Sequence, residues 1–207
     1  MTLRRFSMLG SAVALLAACG GDPTPPENGG IVTADLQFIR PAPDARPLVS
    51  SEVSFWAKKG EDSEGRLYRA PGTSETDDFV RLRVRKESLL ARPDGTLFAT
   101  GDSVLITLKV IDPENLMVEM SPSGLTFNPT RPAELKFEFN EADDDLNRDG
   151  TVNGDDNTLK TSLQIWKRES ASEPWTPIVG TLKIELEEIE ANLLSFTTYA
   201  IAYRSRR

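Results

Sequence analysis

Apolar residues occupy every second position over most of the chain after residue 33, and this alternation constrains the fold more than any other feature. A period of two places successive side chains on opposite faces of a β-strand, so that one face is buried. The clearest runs are 80–84, 104–110, 135–139, 182–186 and 199–203, with shorter runs at 53–57 and 163–166. Turn-forming residues separate the runs, and no long stretch has a helical stripe. The pattern predicts an all-β fold, either an antiparallel β-sandwich or an open barrel.

Three pieces of the chain carry a more specific pattern of proline, glycine and aromatic residues. They are Pro122–Phe127 with Arg131–Leu135, Leu163–Trp166 with Trp175, and Ser195–Ala200. Together they resemble the hairpin, the tryptophan pair and the closing strand of ZU-type β-sandwich domains, which implies the sandwich rather than the barrel. Some ZU-type proteins cut themselves within His-Phe-Ser. Here Ser195 replaces that histidine, and a Thr197 hydroxyl without an activating base is a poor nucleophile, so we expect no self-cleavage.

The N-terminal segment has the three zones of a secretion signal. Arg4 and Arg5 precede an uncharged apolar stretch over residues 6–16, which is too short for a membrane-spanning helix of roughly twenty residues. The following Leu-Ala-Ala-Cys ends at Cys19 and resembles the lipobox of bacterial lipoproteins. This resemblance implies a signal peptide over residues 1–18 and lipid attachment to Cys19, which would anchor the chain in a lipid bilayer. An ordinary signal peptide followed by an incidental cysteine is the alternative.

Residues 19–33 are rich in glycine, proline and polar residues, a composition that buries too little apolar surface to fold. We interpret them as a flexible tether that holds a β-sandwich domain, residues 34–207, away from the membrane. Gram-negative lipoproteins with aspartate after the cysteine tend to stay at the inner membrane, whereas this chain has Gly20. The expected location is the bacterial cell envelope, at the outer membrane if the cell is Gram-negative, with the folded part in the periplasm or at the cell surface.

Residues 145–156 have the spacing of a calcium-binding loop. Six oxygen donors fall at loop positions 1, 3, 5, 7, 9 and 12, namely Asp145, Asn147, Asp149, the backbone carbonyl of Thr151, Asn153 and Asp156. Gly150 at position 6 allows the sharp turn that brings such donors to within roughly 2.3–2.6 Å of one ion. We expect Val152, the apolar residue at position 8, to pack on the domain. Mg²⁺ fits less well because it keeps its waters.

The loop resembles a dockerin repeat more closely than it resembles calmodulin, because its last position is aspartate. Only one such loop is present, no helix precedes it, and residues 157–161 leave room for at most one helical turn. The resemblance therefore extends to the metal loop and not to binding of a cohesin. Seven acidic residues and one basic residue within 141–156 give a local charge of −6, which a cation would neutralise. A solvated acidic loop without metal is the alternative.

Composition excludes several kinds of function. The chain has no histidine and one cysteine, so it has no Ser-His-Asp triad, no imidazole metal ligand, no cysteine zinc site and no internal disulfide. Its 24 basic and 32 acidic residues give a net charge of −8, which argues against nucleic acid as a partner. We expect a non-enzymatic, lipid-anchored protein with an interaction or structural role in the envelope.

Two alternatives stay open at the level of sequence. The first is a surface module that binds a glycan or a protein. Two or more exposed tryptophans among Trp56, Trp166 and Trp175 would favour the glycan-binding form. A basic stripe on one strand face could also hold an anionic polysaccharide. The stripe comprises Arg81, Arg83, Arg85 and Lys86. A glycoside-active enzyme would need two carboxylates in a cleft, for which the glutamates at 185, 187, 188 and 190 are candidates. An exposed strand face paired with opposite charges explains both sets more simply.

Overall fold

The computed structural model describes residues 30–71 and 77–205. The expected signal peptide, Cys19 and the tether up to residue 29 lie outside the described residues. The described chain contains fourteen strands. They are β1 (Leu36–Phe38), β2 (Glu52–Lys58), β3 (Ser63–Tyr68), β4 (Asp78–Val84), β5 (Leu89–Ala91), β6 (Ser103–Asp112), β7 (Met117–Ser121), β8 (Thr126–Phe127), β9 (Ala133–Glu138), β10 (Gln164–Arg168), β11 (Thr176–Ile178), β12 (Gly180–Lys183), β13 (Glu188–Leu193) and β14 (Thr198–Arg204). The one α-helix among these residues, α1, spans Gly154–Lys160.

The strands form two main antiparallel sheets. The seven-stranded sheet has the order β11-β10-β14-β7-β6-β2, and β1 also pairs with β14. The five-stranded sheet has the order β12-β13-β9-β4-β3, and β5 pairs with β8 in a small separate ribbon. The predicted all-β sandwich is confirmed. Consecutive strands change sheet at several points, of which the connection from β9 to β10 is the one that carries the predicted calcium loop.

The main core lies between the two sheets and is built from the alternating residues that the sequence singled out. Both sheets contribute fully buried side chains to it. The five-stranded sheet supplies Val80, Leu82, Leu135, Phe137 and Ile189, and the seven-stranded sheet supplies Ile106, Leu108, Val118, Ile165 and Ile201. Their polar neighbours in sequence point to the outer faces, because side chains alternate across a strand.

A smaller apolar cluster covers the outer face of the seven-stranded sheet. Trp166 and Trp175 are buried there with Phe38, and the Trp166 indole donates a hydrogen bond to the Ala202 carbonyl at 3.0 Å. Ile31 pairs with Trp175 through two backbone hydrogen bonds of 2.7 and 2.8 Å. Residues 30–33, which the sequence assigned to the end of the tether, thus lie against the domain.

One predicted strand is wrong in its extent. The alternation over 182–186 predicts a single strand, but β12 ends at Lys183 and Ile184–Leu186 forms a 3₁₀ turn. Leu182 packs against the main core, but Ile184 and Leu186 are exposed, so the second half of the run has no core face to fill. Glu187 then takes a left-handed conformation with φ of 51°, and β13 begins after it. The other predicted runs correspond to strands, although Phe139 lies just after β9 and Leu163 just before β10.

Candidate metal centre

The predicted loop lies in the connection between β9 and β10, which crosses from the five-stranded to the seven-stranded sheet. Its last three residues, 154–156, form the first turn of α1, so the helix begins inside the loop. No α-helix precedes the loop among the described residues, as predicted, and α1 extends beyond the loop only over residues 157–160, about the one helical turn expected there. An element in this position can influence how the two sheets are held together.

The first half of the loop folds around the carboxylate of Asp145. Its two oxygens accept hydrogen bonds from the backbone N–H groups of Asp149, at 3.0 Å, and Gly150, at 2.9 Å. The Asn147 side-chain oxygen also accepts from the Asp149 N–H, at 2.8 Å. Gly150 has φ of 86°, a conformation that favours glycine. The turn at position 6 is therefore formed as the sequence predicted.

The middle of the loop places Asp149, Thr151 and Asn153 in one hydrogen-bonded chain. Asp149 accepts from the Thr151 N–H at 2.8 Å and from the Asn147 amide at 3.0 Å. The Asn153 amide donates to the Thr151 carbonyl at 3.2 Å, and its oxygen accepts from the Asp155 N–H at 2.7 Å. The metal ligands proposed from the sequence spacing are thus connected to one another by hydrogen bonds to the backbone of the loop.

Asp156 closes the loop and is buried, with 2% of its surface exposed. One carboxylate oxygen accepts from the Asn147 N–H at 3.2 Å and the other from the Asn153 N–H at 2.9 Å. With Asn153 it forms a capping box at the start of α1. The Asn153 N–H, followed by those of other loop residues, holds the pKa of Asp156 below its usual value, against the opposing effect of burial.

The acidic run divides into two parts in the structure. Three of its seven acidic residues form ion pairs outside the loop, Glu141 with Arg46, Asp143 with Arg40 at 2.7 Å, and Asp144 with Lys160 at 3.3 Å. Within residues 30–71 and 77–205, the other four have no basic partner; they are Asp145, Asp149, Asp155 and Asp156. The uncompensated negative charge is therefore concentrated in the predicted loop itself.

Long-range contacts attach the loop to the sandwich. Leu146 is buried in the main core, and its carbonyl accepts a hydrogen bond from the Tyr203 hydroxyl of β14 at 3.0 Å. Arg148 points away from the loop and donates to the Phe38 carbonyl of β1 at 3.1 Å. Sequence analysis missed these contacts, because the partners are separated by 57 and 110 residues and no local pattern links them.

The expected packing of Val152 on the domain is wrong, since the residue is 62% exposed.

The oxygen atoms that the loop offers are the kind of ligand that Ca²⁺ binds. The carboxylates of the loop do not converge on one point in the structure, however. Across the described ranges, no three carboxylate, thiol or imidazole side chains are grouped as a metal cluster. The loop supplies only three of the six proposed donors as carboxylates, and the rest are amide and carbonyl oxygens. Each carboxylate has about four lone-pair sites, so oxygens that accept one hydrogen bond retain capacity for a cation. Hard oxygens alone are the donors that Ca²⁺ prefers.

The remaining sequence candidates have clear positions. Trp166 and Trp175 are buried and Trp56 is 64% exposed, so no set of exposed tryptophans exists among these three. Thr197 is buried, and its hydroxyl donates to the Arg168 carbonyl. Cys19 lies outside the described residues, and the part of the chain that is described contains no helix long and apolar enough to cross a membrane.

Comparison with known proteins adds no family to this description. No family model, curated protein or solved structure matches the chain. The class that the geometry defines is therefore an antiparallel β-sandwich with an oxygen-rich loop at a crossover between its sheets.

Proposed function

We propose that the protein is a lipid-anchored component of the bacterial cell envelope, whose β-sandwich of ZU type is stabilised by one bound Ca²⁺ and has a non-enzymatic interaction or structural role. The observation that carries the calcium part is the loop at the sheet crossover, with its four acidic residues that lack basic partners in the described chain. The lipid part rests on the resemblance of residues 16–19 to a lipobox.

The proposed ligands would act together with the fold of the loop. Asp145, Asn147 and Asp149 supply side-chain oxygens from the first half, Thr151 supplies its carbonyl, and Asn153 and Asp156 complete the set; together they are Asp145, Asn147, Asp149, Thr151, Asn153 and Asp156. Bound Ca²⁺ would neutralise the repulsion between carboxylates that the hydrogen bonds alone leave in place. Because the loop contacts both Tyr203 and Phe38, ordering it stabilises the attachment of β9 to the seven-stranded sheet.

Calorimetric titration of the purified full chain with Ca²⁺ tests the metal site. The expected affinity is that of extracellular calcium modules, roughly 10⁻⁴–10⁻³ M, with weaker binding of Mg²⁺. Asp149→Ala removes a ligand and abolishes binding. Asp155→Ala is the matched control, because it removes the same charge at position 11, whose side chain is not a proposed ligand. Equal loss in both variants would show that general negative charge, and not the proposed ligand set, attracts the cation.

Membrane fractionation of cells that express the Cys19→Ser variant tests the anchor. One acyl chain holds a protein only marginally and several hold it stably, so a lipobox cysteine with several chains keeps the protein in the membrane fraction. The variant is expected to lose the lipid label and to appear in the soluble fraction. Unchanged partitioning of Cys19→Ser with membranes contradicts the lipoprotein assignment.

The structure weakens the arguments for the two alternatives, the glycan-binding module with exposed tryptophans and the glycoside-active enzyme. The tryptophan argument for a glycan-binding module fails on the burial of Trp166 and Trp175. For the glycoside-active enzyme, Glu188 is ion-paired with Lys183 at 2.6 Å, and Glu187 with Lys160 at 2.5 Å. These contacts assign the two glutamates to charge pairing at the sheet surface, and the non-enzymatic role remains our proposal.

A further inference from the structure

A groove of about 470 Å³ lies on the outer face of the five-stranded sheet, away from the calcium loop. Arg81 and Arg83 of β4 project into it, because they alternate with Val80, Leu82 and Val84, which are buried in the core. Small-molecule sites have volumes of roughly 300–1,000 Å³, so this groove has the dimensions of a binding site.

The groove is positively charged on a negatively charged protein. Four basic residues line it, Arg81, Arg83, Arg85 and Lys136, against two acidic residues, Glu134 and Glu190. The whole chain has a net charge of −8. A local excess of cations attracts an anionic ligand to the groove, whereas the rest of the negatively charged surface repels it.

Arg81 stands in a row of three cations across neighbouring strands. The register places it opposite Arg66 of β3 on one side and opposite Lys136 of β9 on the other. Like charges directly opposite each other destabilise a sheet unless they are compensated. Arg66 is compensated by Asp78 at 3.1 Å, and Lys136 by Glu138.

Arg81 and Arg83 themselves are compensated only weakly. Their nearest acidic groups in the described chain are Glu190 and Asp62, each at 3.9 Å, which is beyond hydrogen-bonding distance. Arg85, by contrast, contacts Glu134 at 2.6 Å. Each guanidinium has five N–H donors in a planar fork, a geometry that suits a carboxylate. The groove therefore contains two neighbouring arginines, Arg81 and Arg83, with N–H donors available to a ligand.

We propose that this groove binds an acidic polysaccharide, whose carboxylates contact Arg81 and Arg83. Residues two apart on a strand are separated by roughly 6.8 Å, so the two arginines can contact successive acidic groups of an extended chain. Thr181, Asn192 and Glu190 provide the hydroxyl, amide and carboxylate partners that sugar hydroxyls need. No aromatic side chain is among the groove residues in the described part of the chain, which disfavours stacked single-stranded nucleic acid.

Titration of the full chain in detergent with a short oligogalacturonate tests this inference, with chelator present to exclude calcium bridges. The Arg81→Gln/Arg83→Gln double variant is expected to bind at least about tenfold more weakly, because charge-assisted contacts are lost. Lys58→Gln/Lys109→Gln is the matched control, since it removes the same charge from the other sheet and leaves affinity unchanged. The methyl ester of the same oligomer, which has no free carboxylate, should not bind.

Three results would overturn the inference. They are absence of binding to the wild-type chain, equal weakening in the two double variants, and equal affinity for inorganic polyphosphate, which would indicate charge alone. The groove is independent of the calcium proposal, so Asp149→Ala is expected to bind the oligogalacturonate as the wild type does. Thermal melting of both double variants verifies that they remain folded.

Discussion

Asp156 is the residue at which local structure and the proposed metal chemistry meet. Its carboxylate is buried and accepts the N–H groups of Asn147 and Asn153, so it caps α1 and closes the loop before any ion is considered. A negative charge in the first turn of a helix is also favoured by the helix dipole. The Asn153 N–H and its neighbours outweigh burial and lower the pKa of Asp156. The folded state thus favours the ionised form of the Asp156 carboxylate.

The pH dependence of stability tests this role. A lowered pKa in the folded state contributes stability above the ordinary pKa of aspartate, and this contribution is lost as the pH falls through the folded-state pKa. In chelator at neutral pH, Asp156→Asn should melt below the wild type. The difference should shrink in acid, where the wild-type carboxyl is protonated too. Asp155→Asn serves as the control, because its side chain has no partner among the described residues and the capping box stays intact. A gap between Asp156→Asn and wild type that is constant with pH would contradict the role of the charge.

At the scale of elements, the crossover from β9 to β10 shows what sequence can predict and what it cannot. The loop's internal hydrogen bonds join residues two to nine positions apart, so spacing was sufficient to anticipate the turn at Gly150, whereas the cap that Asp156 forms on α1 was not anticipated. The attachment to Tyr203 and Phe38 depends on strands far away in sequence. The prediction that Val152 at loop position 8 packs on the domain was wrong for the same reason. Nothing in the loop sequence determines whether this side chain contacts another part of the domain.

The strands, like the loop, were predictable only where the local sequence pattern determines their structure. β4, β6, β9 and β14 were predictable because one face of each fills the core, and burial imposes the period of two. The run at 182–186 has the same alternation, but only Leu182 packs against the core, and the 3₁₀ turn at Ile184–Leu186 ends the strand. The charge partners of the acidic run also escaped prediction, because Arg40 and Arg46 reach Asp143 and Glu141 from about a hundred positions away in sequence.

At the scale of the whole molecule, the described β-sandwich has two charged features on different parts of its surface, and the lipid anchor at Cys19 is our proposal. The loop at the sheet crossover carries acidic residues that have no basic partner within the described chain, and the groove on the five-stranded sheet carries arginines with available donors. The expected tether would place both outside the bilayer. A cation at the loop would lower the total negative charge and add a connection between the sheets.

The melting temperature in calcium and in chelator tests the central claim most directly. At calcium about ten times above the dissociation constant, binding to the folded state alone adds about 1.4 kcal/mol, RT ln 11. For a chain of this size each kcal/mol raises the melting temperature by roughly 2–4 °C, so we expect an increase of about 3–6 °C. Mg²⁺ at equal concentration should produce much less, Asp149→Ala should lose the increase, and Asp155→Ala should retain it. Identical melting curves in millimolar calcium and in chelator, or a full increase in Asp149→Ala, would contradict the account.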